Sequence, residues 1–207
     1  IIKAKNGVLY QENPSSLNEY KPKSGWIQSN EPEEHLDKIF LNIRKELKNI
    51  NRILCFSYKD KSLADRFGKN SKIDFLYEEK AGLIGQFAED SDLEFDLDNF
   101  KNIGNYDLVI IRHYLEHFKD PMAILDELSK VTSKKGFLYI EVPDTEQFVQ
   151  KGNPLFLWEQ HRFYFNKKSL LSLLFQGGYN IIFSSLEGKN IEPSICTLIN
   201  RIELRKI

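Results

Sequence analysis

The stretch Tyr106-DLVIIRHYLEHFKDPMAILDELSKVTSKKGFLYIEVP-Asp144 decides the fold. Leu108–Ile111 is a continuous apolar run, the pattern of a parallel strand buried on both faces rather than of a half-solvated one. Asp120 then offers a cap and Pro121 suits a first helical position, because its missing N–H would have no partner there anyway. Met122, Leu125, Leu128 and Val131 recur at helical steps, and Gly136 is expected to end that helix. Phe137–Val142 reads as another strand, stopped by Pro143. Strand, helix, strand in this order is a βαβ unit, so the two strands are expected to run parallel.

The same alternation extends upstream. Around Asn30 to Pro32 a helix start is expected, and Leu36, Ile39, Phe40, Ile43 and Leu47 then form an apolar stripe. Ile53–Phe56 is a short strand, followed by a helix through Phe67 opened by the pair Ser62-x-x-Asp65. Ile73–Tyr77 and the weaker Leu93–Leu97 are further strand candidates. Downstream, Asn166 caps a helix carrying Leu170, Leu171, Leu174 and Phe175, ended by Gly177–Gly178. Asn180–Ser184 and Ser194–Leu204 are spaced to pair as a hairpin. Residues 1–29 have no sustained periodicity and read as an arm on an α/β domain spanning residues 30–207.

Composition narrows the class. With 207 residues, 41% of them hydrophobic, the chain has material for one sizeable core. Its 29 basic and 30 acidic residues give a net charge of −1, so no overall field draws nucleic acid or an anionic membrane. No apolar run approaches the length of a membrane span, and residues 1–30 lack a signal-peptide layout. Two cysteines, Cys55 and Cys196, make no disulfide framework, which favours a reducing, cytoplasmic setting. The chain opens Ile1–Ile2 rather than with Met, so a preceding segment is expected.

In parallel α/β sheets ligands sit beyond the carboxyl ends of the strands, which directs attention to four segments. The loop CFSYKDKSLADRF has Ser57, Lys59 and Lys61 where a nucleotide-type cofactor usually asks for glycines, and it also reads as an ordinary solvated turn. In IDFLYEEK a carboxylate, Glu78, stands where an acid can hold a ribose diol; acidic residues also suit a helix N-terminus. His113-x-x-Glu116-His117 matches a zinc-hydrolase pattern, but that pattern needs both histidines on one helical face, and here it straddles a strand end and a loop. In LFLWEQHRFYF, His161 lies among aromatic residues, suiting either a proton acceptor or a packed aromatic loop.

Taken together, the stretch from Tyr106 to Asp144 and the continuation QHRFYFNKKSLLSLLFQGGYNII resemble the class I S-adenosylmethionine (SAM) dependent methyltransferases, nearest to bacterial members acting on sugars and other small molecules. The "LEH…DP" loop, the E-x-P strand end and the "H…YF" segment carry the likeness. It implies a Rossmann-like α/β fold with a seven-stranded, mostly parallel sheet closed by a C-terminal antiparallel hairpin. It implies SAM as cofactor and a small-molecule acceptor, a sugar or nucleotide-sugar. By position, Ser57, Tyr58 and Lys59 would border the methionine part of SAM, Glu78 the ribose, and Asp96 or Asp98 the adenine. Arg112 and His113 would line the cofactor from the fourth strand, His161 would be the base, and Tyr164 would lie beside it.

The family's first motif reads acid-x-Gly-x-Gly-x-Gly, whereas Cys55, Ser57, Lys59 and Lys61 stand in those places here. If those positions need φ > 0, each non-glycine residue costs of order 1 kcal/mol. An inward lysine would also repel a sulfonium and favour an anion such as a nucleotide diphosphate. The alternative function is therefore a catalytically inactive methyltransferase-fold protein kept for binding or assembly. The arm, NGVLYQENPSSLNEY, is similar to a stretch that follows a zinc knuckle in relatives, with Lys3 and Asn6 where those place cysteines, so no metal is expected.

Overall fold

The computed structural model describes residues 2–3, 9–10, 34–76, 104–153, 161–188 and 193–202. Two short strands, β1 (Ile2–Lys3) and β2 (Leu9–Tyr10), precede helix α1 (Glu34–Glu46). Strand β3 (Arg52–Cys55) leads through a 3-10 turn, Tyr58–Asp60, into α2 (Lys61–Ala64) and then β4 (Lys72–Phe75). Next come β5 (Tyr106–Arg112), the 3-10 turn Leu115–His117, α3 (Pro121–Val131) and β6 (Thr132–Pro143). The chain continues with α4 (Thr145–Gln150), β7 (Phe163–Tyr164), α5 (Lys167–Gln176), β8 (Tyr179–Glu187) and β9 (Ser194–Arg201).

The main sheet has the order β4-β3-β5-β6-β9-β8. The first four strands in that order are parallel, and β9 and β8 add an antiparallel hairpin. This is the expected α/β Rossmann-like architecture, with six strands among the described residues instead of seven. Leu93–Leu97, Asp96, Asp98 and Glu78 lie outside the described residues, as does the expected helix start at Asn30 to Pro32.

Strand alternation divides the core between the two sheet faces. Ile53, Cys55, Leu108 and Ile110 pack under α1, through Leu36, Ile39 and Ile43, and under Leu63 and Ala64 of α2. Leu54, Val109 and Ile111 face the other way, onto Leu125, Leu128 and Val131 of α3 and Leu170 and Leu174 of α5. Each buried Leu, Ile or Val among them contributes roughly 1.5–3 kcal/mol by leaving water.

Local signals held at several helix ends. Asp120 accepts the backbone N–H groups of Met122 and Ala123, and Asn166 with Ser169 forms a reciprocal capping box. Gly178, at φ 79°, follows the cap residue Gly177 at the end of α5. Two expectations change. The helix α3 ends at Val131 and the chain turns directly into β6, so Gly136 sits within a strand. There the backbone oxygen of Tyr106 would lie 2.6 Å from an added Cβ, and this close approach is what the glycine serves. Helix α2 starts at Lys61 instead of being capped by Ser62, whose hydroxyl donates to the Lys59 carbonyl.

A second, three-stranded sheet was not foreseen. β1, β2 and β7 pair antiparallel, with Leu9 opposite Tyr164 and Tyr10 opposite Phe163. The first strands of the arm thus lie against the segment that follows His161. No helix among the described residues is long and apolar enough to cross a membrane.

Candidate active site at the carboxyl edge of the sheet

Strand β3 has β4 on one side and β5 on the other, so the chain reverses its direction of winding at the β3/β5 boundary, where such folds place ligands. Four of the expected residues converge there. Ser57 and Lys59 belong to the loop after β3, Arg112 is the last residue of β5, and His113 follows it. Tyr58 contributes its backbone to the 3-10 turn.

Arg112 and His113 meet on Glu141, near the end of β6 and buried completely. It accepts from Arg112 Nε (2.8 Å) and Tyr139 Oη (2.9 Å) on Oε2. On Oε1 it meets His35 Nε2 (2.9 Å), from α1, and His113 Nε2 (3.2 Å). Burial alone would raise the Glu141 pKa; the Arg112 charge and the two histidine contacts outweigh it and hold the carboxyl well below its usual range. His113 adopts φ 55° to make its contact, a conformation uncommon outside glycine.

Arg112 also reaches across to the β3 loop. Its Nη1 donates to the Lys59 carbonyl (3.2 Å) and to Ser62 Oγ (3.2 Å). Asp60 completes the brace by accepting the Ser57 backbone N–H at 2.9 Å. Burial pushes the Asp60 carboxyl up to about 7, against the opposing Ser57 bond and the Arg112 charge. Asp60 Oδ1 has no hydrogen-bond partner among the described residues.

The strain expected of a loop without glycine is not present. Among the described non-glycine residues only Asn105 and His113 have positive φ, so Ser57, Lys59 and Lys61 are conformationally ordinary. The chain winds them into a 3-10 turn and a helix start in place of an open glycine turn. Lys61 pairs with Asp65, the residue that caps α2.

The second group lies around His161. Phe56, next to Ser57, packs on Tyr114 and Phe118 with ring centroids 5.0 and 5.6 Å apart. Tyr114 is 6.4 Å from the His117 ring, and His117 is 4.8 Å from His161. Tyr164 lies 6.1 Å from His161, and its hydroxyl pKa is raised by burial. Glu116, 1% exposed, sits between the two histidines, its Oε1 3.8 Å from each Nε2. His161 and Tyr164 are therefore brought together as expected, and Glu116 and His117 join them. The "LEH" letters marked that pair in the sequence, but nothing local ties them to His161.

This arrangement of sheet, switch point and polar strand ends is that of a Rossmann-like methyltransferase domain. A family model for a methyltransferase domain matches residues 61–183, more than half of the chain, and the chain belongs to that family. The match starts at Lys61, the last of the residues that stand in the glycine-motif places.

Solved structures share the fold. The 1,6-didemethyltoxoflavin-N1-methyltransferase of Burkholderia thailandensis, with bound 1,6-didemethyltoxoflavin and S-adenosylhomocysteine, superposes with a TM-score of 0.58 at 10% identity, over 86% of this chain and 82% of that one. The N-methyltransferase NodS of Bradyrhizobium japonicum, in complex with S-adenosyl-L-homocysteine, gives 0.55 at 10% identity over 91% and 97%. An S-adenosylmethionine-dependent methyltransferase from Clostridium acetobutylicum gives 0.53 at 9% identity over 85% and 94%. Curated proteins yield no match to this chain.

Proposed function

We propose that this protein transfers a methyl group from SAM to a small-molecule acceptor, a sugar or nucleotide-sugar. The observation that carries the reading is the relaxed β3 loop. Without positive φ at Ser57, Lys59 or Lys61, and with Lys61 turned onto Asp65, the substitutions in the glycine motif do not themselves strain the edge where the cofactor would lie.

When bound, SAM supplies a methyl group already activated by its sulfonium, so the protein's task is chiefly positioning. In this reading Ser57, Tyr58 and Lys59 border the cofactor, while Arg112 and His113 keep that border in shape through Glu141 and the Lys59 carbonyl. His161 and Tyr164, with Glu116 and His117, form the acceptor side. The arm strand paired with Tyr164 backs that side.

The competing reading is a methyltransferase-fold module without catalysis. Its supporting observation is the engagement of the Ser57 N–H by Asp60 and of the Lys59 carbonyl by Arg112, which leaves the loop fewer backbone groups to offer a ligand. Calorimetric titration with SAM and S-adenosylhomocysteine separates the two. Micromolar binding, followed by S-adenosylhomocysteine formation with an acceptor, is expected for the enzyme. No binding at millimolar ligand would leave the non-catalytic module.

A further inference from the structure

The sequence groups His113, Glu116 and His117 as one pattern, and the fold splits it. His113 turns to Glu141, whereas Glu116 and His117, in the 3-10 turn after β5, face His161 from the segment before β7. One ligand atom from each of Glu116, His117 and His161 lies within 4.8 Å of the others. We propose that these three side chains bind a divalent transition-metal cation, of which zinc is the best fit, and leave its remaining coordination positions open to an oxygen of the methyl acceptor.

Geometry argues first. The two Nε2 atoms stand 3.8 Å from Glu116 Oε1, too long for hydrogen bonds to that oxygen. Ligands of a tetrahedral zinc at roughly 2.0–2.2 Å lie roughly 3.3–3.6 Å from one another, so the two 3.8 Å separations close with shifts of a few tenths of an ångström and the two histidine nitrogens, within 4.8 Å, with at most about 1.5 Å of side-chain rotation. The imidazole planes cross at 70°, which lets both rings converge on one point without stacking. The segments that carry the ligands are also tied together, since the Glu116 carbonyl accepts the Arg162 N–H at 2.9 Å.

Chemistry argues next. Glu116 is 1% exposed, and a buried carboxylate gains most from a fixed positive charge nearby. Two imidazoles and one carboxylate suit zinc or ferrous iron better than magnesium, which prefers all-oxygen sets. Three protein ligands leave a position for an exchangeable oxygen, as catalytic sites require. The cation site stands on these residues alone; its service to an acceptor rests on the methyl-transfer reading above. It also changes the role expected of His161, whose Nε2 would hold the cation and not the acceptor's proton.

The test is calorimetric titration of chelator-stripped protein with zinc chloride, with cobalt chloride in parallel to read coordination from the visible absorption of the bound ion. One equivalent of zinc is expected, and His117→Ala and His161→Ala should each weaken it by about a hundredfold or more, with folding checked by thermal melts. Glu116→Gln should do the same at nearly constant volume. His113→Gln should leave zinc affinity unchanged, which the H-x-x-E-H pattern would not predict. No zinc uptake by the unaltered protein, or equal uptake by both alanine variants, overturns the site. Titrating the same samples with S-adenosylhomocysteine keeps the outcomes distinct: zinc bound without it sinks methyl transfer alone, and the reverse sinks the cation site alone.

Discussion

Arg112 Nε lies 2.8 Å from Glu141 Oε2, and neither side chain is exposed. The pair joins the ends of two adjacent parallel strands and, through the Arg112 guanidinium, the loop after β3. Removing one partner from such a pair leaves an uncompensated charge in the interior. Glu141→Leu should therefore cost about 3–5 kcal/mol, measured by urea unfolding, and Arg112→Met added to it should recover part of the loss.

Asp60 links stability to pH in a direction unusual for a carboxylate. Its folded pKa is about 7, whereas an unfolded Asp titrates near pH 3.9. Between those values the folded chain keeps a proton that the unfolded chain has released, so this group's contribution falls as pH rises from about 4 to about 7 and is flat above. The slope approaches 1.4 kcal/mol per pH unit. Glu141, with its pKa depressed, acts in the opposite sense and in a lower window: its contribution is present above about pH 4.5 and is lost on further acidification. Asp60→Asn should abolish the falling slope between pH 4 and 7 in unfolding measurements; an unchanged slope would refute the assignment.

Restoring glycine to the loop should harm the fold. Lys59 lies in the 3-10 turn and Lys61 begins α2, both without positive φ. Lys59→Gly and Lys61→Gly should each destabilise by about 0.5–1 kcal/mol through added unfolded-state freedom. A gain in melting temperature for either would mean that the loop is strained after all.

Gly136→Ala places a methyl group 2.6 Å from the Tyr106 carbonyl oxygen, a backbone atom that can move only with its strand. Overpacking of this kind costs roughly 1–3 kcal/mol. Thermal or chemical unfolding will report it.

His161→Ala should lower methyl transfer by about 10²–10⁴-fold while S-adenosylhomocysteine affinity stays nearly constant, since the proposed function puts His161 on the acceptor side. A parallel loss of cofactor affinity would place His161 on the wrong side of the site.

Much of the architecture was legible because its signals are local. A continuous apolar run identified β5, Asp120–Pro121 and Asn166 marked helix starts, and two β-runs near the end gave the hairpin. Local reasoning failed where a residue's role depends on a distant partner. Gly136 looks like a helix terminator, yet it serves the passage of Tyr106 beside β6. The missing glycines implied strain, yet the loop's winding, braced by Arg112 and Asp60, removed the need for φ > 0.

The sequence by itself determined the α/β class, the parallel core strands and the caps, since periodicity and capping are properties of neighbouring residues. Only the tertiary structure decided that His35, Arg112 and His113 meet on Glu141, and that Glu116 and His117 face His161. Those contacts join segments far apart along the chain. Strand register and the packing of whole layers fix them, and no short stretch of residues encodes either.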